Sequence, residues 1–542
     1  MDNIQKIIDL MDIDMKVGQL FLLAYPGKNP AKIQSLVDQF GISGCYISQD
    51  NAETLTEARE VSEQLQKMTS QTPHALPMIL GIDQEGAWGV LVPESTSGPG
   101  NLALTANTDS SITEKMYQVI GEQMLSVGYN TILAPCADIN SDPDSPIIDT
   151  RSFGDDPKRV SELVRYAVRG IKKTGALSTL KHFPGHGATG DDTHRNIPEV
   201  HKTLSELFET DLAPFAAGID EGADIVMTAH IRYPRIDSEN PATLSRIILE
   251  DILRKKLSFN GVILSDSMNM GAIRRFYEPG ESIVMALKAG VDIVMLSEEH
   301  YDHDENYLEK QLRSLRKVKD AILQGSLPMK EVDAKLRRII SMKMNKMKAV
   351  PVGMSLSESE AAEIESRAAA GACTVIRDDW NLLPSDLREG SVCVNATPRD
   401  AYSCLMNSRG IGPNQMLPAY DSFHDTLASL CPAMKFMEYD EAQKRSDELN
   451  DARIVLLITE NYPLPGEDME KKRQQSFVRK CLEKYRQKII VVGLRSPYEI
   501  REYPGKITYV SAYSSRTCAA VAAAQLLASM KSLRGVHHLQ FS

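Results

Sequence analysis

Through roughly the first 300 residues, short apolar, β-branched runs alternate with longer amphipathic segments, the pattern of parallel βα units. Eight such runs stand out: "GQLFLLA" from Gly18, "GISGCYIS" from Gly41, "PMILGIDQ" from Pro77 and "TILAPCADI" from Thr131. The others are "LSTLKHF" from Leu177, "DIVMTAHI" from Asp224, "GVILSDS" from Gly261 and "DIVMLS" from Asp292. Most are separated by helix spacing. In "DPKRVSELVRYAVRGIKKTG", Val160, Leu163, Val164 and Val168 fall on one stripe, with Pro157 opening the helix and Gly175 ending it. The third and fourth runs are joined by a longer, irregular piece. Eight strands with intervening helices predict an α/β fold of (β/α)8, TIM-like type, with a doubly wound open sheet as the rival. Ionisable residues stand where runs end: Asp83, Asp138, Lys181 with His182, His230 and Asp266. A barrel gathers such strand ends at one mouth, which favours the barrel.

From Asp304 to Met347 the text is strongly charged and helical, read as a solvated face on helices that close or flank the barrel. "AVPVGMSLSESE", from Ala349, reads as a linker and then a capped helix. A second alternation follows: "CTVIRD" from Cys373, "SVCVNA" from Ser391, "ARIVLLITE" from Ala452, "KIIVVGL" from Lys488 and "KITYVSAY" from Lys506. These five strands predict a smaller α/β sandwich domain. The expected division is residues 1–350, a catalytic barrel with its closing helices, and residues 351–542, the sandwich.

At 542 residues the chain exceeds one ordinary core, in keeping with two domains. A formal net charge of -12 argues against a general nucleic-acid or anionic-membrane binder. The N-terminus mixes acids into its apolar residues, unlike a signal peptide, and no apolar stretch approaches the ~20 residues that span a bilayer. The eight cysteines are scattered without a C-x-x-C pair, so free buried thiols and a reducing, cytoplasmic location are expected.

The densest chemistry is "KHFPGHGATGDDTHRNIP", Lys181 to Pro198, which spends three of the chain's 11 histidines on one irregular loop. Asp192 and His194 are two apart, so an extended backbone projects both to one side. A carboxylate that holds Nδ1–H while Nε2 faces substrate turns a histidine into an oriented general acid/base. Asp266 is the natural opposing carboxylate. The logic is that of retaining glycoside hydrolysis, with an Asp–His pair in place of the second carboxylate. A metal-dependent hydrolase is the rival class, but the loop has no H-x-H or helical H-x-x-x-H pair.

The same loop resembles the signature of the β-N-acetylglucosaminidases of glycoside hydrolase family 3, K-H-F-P-G-H-G-x-T-x-x-D-S-H, with Thr193 in place of the usual serine. Further matches stand in order: "DQEG" at Asp83, "SPIIDTRSFGDDP" from Ser145, "MTAHIRYPRID" from Met227, "PATLS" from Pro241 and "LSDSMNMGAI" from Leu264. The resemblance covers nearly all of residues 10–350. It implies Asp266 as nucleophile, His194 as acid/base and Asp192 as its orienting partner. It implies Asp83, Arg151, Lys181 and His182 as ligands of the sugar, and His230 as a further substrate-binding residue. It also implies double displacement on terminal GlcNAc of cell-wall or chitin-type oligosaccharides, the former being peptidoglycan recycling. No metal or organic cofactor and no obligate protein partner is expected. One departure matters: where the family has two arginines after D-x-E-G-G, this chain has Trp88 and Leu91. That loss removes donors from the sugar site and opens an altered sugar specificity as an alternative. Phosphorolysis is the other alternative, because a histidine acid/base repels an incoming phosphate less than a carboxylate does.

Overall fold

A computed structural model describes residues 3–72, 74–86, 95–145, 147–189, 197–297, 306–347, 355–384, 386–387, 389–402, 415, 417–461, 471–529, 535 and 538–539. Each of the eight predicted runs contains a strand: β1 (Phe21–Leu23), β2 (Gly44–Ile47), β3 (Ile79–Ile82), β4 (Thr131–Ile132), β5 (Leu177–Phe183), β6 (Ile225–Thr228), β7 (Val262–Leu264) and β8 (Val294–Met295). They form one parallel sheet in the order β8-β1-β2-β3-β4-β5-β6-β7. A parallel bridge from Leu264 to Ile293 joins β7 to the start of β8 and closes the ring. The open-sheet rival is thereby excluded: a doubly wound sheet has two free edges. The strands read as continuous apolar runs because parallel strands are buried on both faces.

The helix Pro157–Thr174 follows β4 and buries Val160, Leu163, Val164 and Val168, the stripe read from the spacing. Asp156 caps its start, and Gly175 ends it at φ +90, a left-handed conformation that costs glycine little. Helices Tyr307–Leu323 and Met329–Lys346 account for the charged run. That run is more than a solvated face. Arg338 lies 2.6 Å from Asp292, which Arg254 also meets at 2.6 Å, and Lys346 pairs with Asp224. Asp224 and Asp292 precede β6 and β8, so these ion pairs staple the barrel at the end opposite its mouth.

The second sheet has six strands: β9 (Thr374–Asp378), β10 (Ser391–Asn395), β11 (Lys435–Met437), β12 (Ile454–Thr459), β13 (Ile489–Gly493) and β14 (Thr508–Ser511). Their order is β9-β14-β13-β12-β10-β11, parallel except for the antiparallel pair β9–β14. Five were predicted. The sixth, β11, is a three-residue edge strand whose first two residues are not fully buried, so its pattern is too short to register. Ser357 and Glu360 form the expected capping box of helix Glu358–Ala372. The expected division at residue 350 lies outside the described residues. The two sheets share packing, since Leu102, Ala103 and Ala106, which follow β3, join the apolar cluster of the second sheet. Among the described residues no helix is long and apolar enough to cross a membrane. The seven described cysteines are all free.

Candidate active site

The predicted strand-end residues meet at the barrel mouth. Lys181 Nζ, buried near the end of β5, lies 2.5 Å from both Asp83 Oδ1 and Glu85 Oε1 beyond β3. Tyr46 donates to the other Asp83 oxygen at 2.9 Å. Arg151 binds Glu85 in a two-pronged pair, Nε to Oε2 at 2.9 Å and Nη2 to Oε1 at 2.8 Å. Arg151 Nη2 is also 3.3 Å from His182 Nε2, and its Nη1 donates to the Ile147 carbonyl at 3.3 Å. Asp83, Arg151, Lys181 and His182, assigned together from sequence, therefore form one network. Glu85 is its unpredicted centre.

Asp138 is the second organiser. A parallel bridge between Cys136 and Lys181 aligns the exit of β4 with the end of β5, which brings Asp138 beside His182. Its carboxylate accepts the His182 backbone N–H at 3.1 Å, the His182 Nδ1–H at 2.8 Å and the His186 N–H at 2.6 Å. The first turn of the histidine loop is thus tied to β4 by one side chain. Gly187 completes the seam: a Cβ there would fall 1.7 Å from the Ile139 carbonyl oxygen, so only glycine allows the approach. His186 has a bracing task, with its Nδ1 2.9 Å from Thr189 Oγ1.

The ionisation states follow from the pairing. Burial alone would raise the Glu85 carboxyl, but Arg151 and Lys181 outweigh it and hold it well below the usual range. Burial likewise opposes the charge on Lys181, and Asp83 with Glu85 overrides it, raising its pKa. Asp138 is held at about 2, against its burial, chiefly by His182. His186, by contrast, is pushed down to about 4 by burial and by neighbouring His182.

Asp266 follows β7 by two residues and is half-buried. Its Oδ1 accepts the Ser267 N–H at 2.7 Å. Burial resists its ionisation, but His182, His230, that N–H and Lys181 prevail and hold it below the ordinary aspartate value. Both ring nitrogens of His230 are hydrogen-bonded within the protein, Nε2 donating to the Ser267 carbonyl and Nδ1 meeting Thr243 Oγ1, each at 2.9 Å. Burial lowers the His230 pKa. The imidazole buttresses the segment that carries Asp266. Ser267 and Ser297 exchange hydrogen bonds of 3.2 and 3.1 Å from the other side.

Asp192, His194, Trp88 and Leu91 lie outside the described residues. Among the described residues, one group brings metal-type donors together: Cys136, Asp138 and His182, all within 4.8 Å of one another. Here they close on each other, with Cys136 Sγ 3.1 Å and His182 Nδ1 2.8 Å from the same Asp138 oxygen.

Comparison with known proteins agrees with this geometry. Residues 12–342 match the Glycosyl hydrolase family 3 N terminal domain. "Beta-hexosaminidase A" of Pseudoalteromonas piscicida is 27% identical over 513 residues, covering 88% of this chain and 83% of that protein. The solved structure of a glycoside hydrolase family 3 beta-N-acetylglucosaminidase from Paenibacillus sp. str. FPU-7 superposes with a TM-score of 0.85 at 25% identity, over 98% of this chain and 99% of that one. A beta-glucoside phosphorylase, BglX bound to 2FGlc, shares the fold alone: TM-score 0.83 at 19% identity, over 99% of this chain and 96% of that one. The barrel, the ionisable residues at its mouth and a family match that spans most of the chain lead to one statement: this protein belongs to glycoside hydrolase family 3.

Proposed function

We propose that the enzyme is a retaining, exo-acting β-N-acetylglucosaminidase that releases terminal GlcNAc from cell-wall or chitin-type oligosaccharides. The observation that carries the reading is Asp266: an ionised, half-buried carboxylate after β7, within the field of His182, His230 and Lys181. In the first step its free oxygen attacks the anomeric carbon. The glycosidic C–O bond breaks, and His194, oriented by Asp192, protonates the leaving oxygen. A glycosyl ester on Asp266 results. His194 then takes a proton from water, whose oxygen displaces Asp266 and restores the anomeric configuration. Asp83, Lys181, Arg151 and His182 would line the sugar pocket as a preorganised set of charges. The names of the similar hexosaminidase and β-N-acetylglucosaminidase support the sugar.

The test is a panel of aryl β-glycosides, followed by NMR for the product anomer and run with and without inorganic phosphate. Cleavage of the β-GlcNAc glycoside with retention is expected, and Asp266→Ala should lower kcat by about 10⁴-fold or more. Sugar 1-phosphate as the main product would replace hydrolysis by phosphorolysis. Preference for another sugar would move the assignment to the altered sugar specificity that Trp88 and Leu91 open. An Asp266→Ala variant of wild-type activity would end the nucleophile assignment. Because Asp266 is held below its ordinary value, the acid limb of kcat/KM that it controls should lie below pH 3.8.

A further inference from the structure

The turn that follows β13 reaches out of the second sheet and into the loop behind Arg151. Arg495 Nε lies 3.4 Å from Asp149 Oδ2, with side chains only 2% and 4% exposed. Asp149 opens the short 3-10 turn Asp149–Arg151 and has a φ of +36, in the left-handed region that non-glycine residues rarely occupy. Two residues later, Arg151 makes the two-pronged pair with Glu85 and meets His182. A strained residue persists only where its surroundings over-determine it, and a buried cation on its side chain is such a constraint. One more ion pair joins the same segments: Arg501 Nη1 is 3.4 Å from Asp144 Oδ1.

The turn itself is anchored in the second core. Glu499 accepts from Tyr509 at 2.9 Å, from Tyr503 and Gln474 at 3.3 Å, and from Thr459. Asn461 brackets Ser496, accepting its N–H at 3.1 Å and donating to its carbonyl at 3.4 Å. A Cβ at Gly493 would fall 2.1 Å from the Tyr509 hydroxyl, so β13 must end in glycine for this packing. One face of the turn is therefore held by the second sheet while the other holds the β4 loop of the barrel.

We propose that Arg495 is a positioning residue of the barrel's active site: through Asp149 it fixes the turn that presents Arg151 to Glu85 and His182. The second sheet then completes the sugar pocket without touching substrate. The proposal rests on the reading of Arg151 as part of the sugar site.

The test uses the full chain and the aryl β-glycoside that the wild type cleaves best. Arg495→Lys keeps the buried charge and loses the planar fork. It should raise KM about tenfold and change kcat less than threefold, the scale of coupling between residues of one network. Asp149→Asn, made from the barrel side, should do the same. Circular dichroism and a thermal midpoint near the wild-type value would separate this from unfolding. In an Arg151→Lys background, Arg495→Lys should add no further loss, because both act through one guanidinium. The inference is overturned if both Arg495→Lys and Asp149→Asn keep wild-type KM, or if the losses at Arg495 and Arg151 multiply. Should Arg151→Lys itself keep full kcat/KM, the reading of the sugar site falls instead.

Discussion

Buried glutamates occur beyond parallel strands in both halves of the molecule, and their surroundings shift them in opposite directions. Glu85, beyond β3, is buried between Arg151 and Lys181 and is held well below the usual carboxylate range despite its burial. Glu499, in the turn after β13, is equally buried, but three hydroxyls and one amide surround it; burial pushes it up to about 7. Glu460, just past β12, is pushed up to about 8 by burial, with Arg495 too weak a counterweight. Glu85 is shifted down and Glu499 up because the partners of Glu85 are cations and those of Glu499 are neutral donors. A charge array is useful where a polar substrate must be gripped. Neutral carboxyls suit a seam that only has to hold its shape.

The comparison breaks most visibly at Glu85. Glu85→Gln keeps the shape and removes the anion: Lys181 retains its ion pair with Asp83, and Arg151 loses its two-pronged carboxylate partner. Unpairing a buried cation costs about 3 kcal/mol or more. The expected result is a loss of about 100-fold in kcat/KM with a lower thermal midpoint. Activity within threefold of the wild type would mean that Lys181 and Arg151 do not depend on this carboxylate.

Glu499 gives a second, somewhat smaller effect of opposite sign. Its folded pKa lies above the ordinary 4.5, so between pH 4.5 and about 7 the native state holds a proton that the unfolded chain has lost. That contribution is fully present below pH 4.5 and is lost as pH rises through 7. Over this span it amounts to at most about 3 kcal/mol. Glu499→Gln, an uncharged mimic of the protonated acid, should leave stability nearly unchanged at pH 4 and raise it at pH 8. Denaturant melts at the two pH values check this, and an equal shift at both would remove the ionisation argument.

The contrast also marks what could be read from sequence. All eight barrel strands lie inside the apolar runs that announced them, because a strand buried on both faces is a local pattern. Lys181, His182, Asp83 and Arg151 were assigned as one set through the family resemblance, all but Arg151 also as strand-end residues. Their pairing was not, because the contacts span 98 residues from Lys181 to Asp83 and 66 from Arg151 to Glu85. Glu85 did carry a signal: it stands two residues after Asp83, the same spacing that singled out Asp192 and His194. Asp138 was noted as a strand-end acid, but its role depends on the Cys136–Lys181 bridge, a fact of barrel register. Arg495 carried no local signal, since its partner belongs to the other sheet. The edge strand β11 was too short for its pattern to emerge.

The smallest effect expected is an absence of one, at the barrel mouth between pH 7 and 9. Asp138 at about 2 and His186 at about 4 have finished titrating below this window and Glu85 is lower still, and their ordinary values of 3.8, 6.5 and 4.5, which the unfolded chain takes, lie below it too. With no change in bound protons among these groups, they add no pH slope to the stability of the mouth. Glu499 and Glu460 do titrate within the window, so β12, β13 and the turn after them should loosen as pH rises. Native-state hydrogen exchange, corrected for the intrinsic pH dependence of exchange, resolves the two regions by peptide. Peptides over β3 and β5 should keep their opening free energies within about 1 kcal/mol, while peptides over β12 and β13 lose protection. Parallel loss in both would mean that the halves open as one unit. The coupling through Arg495 would then extend from positioning Arg151 to cooperative unfolding of the whole chain.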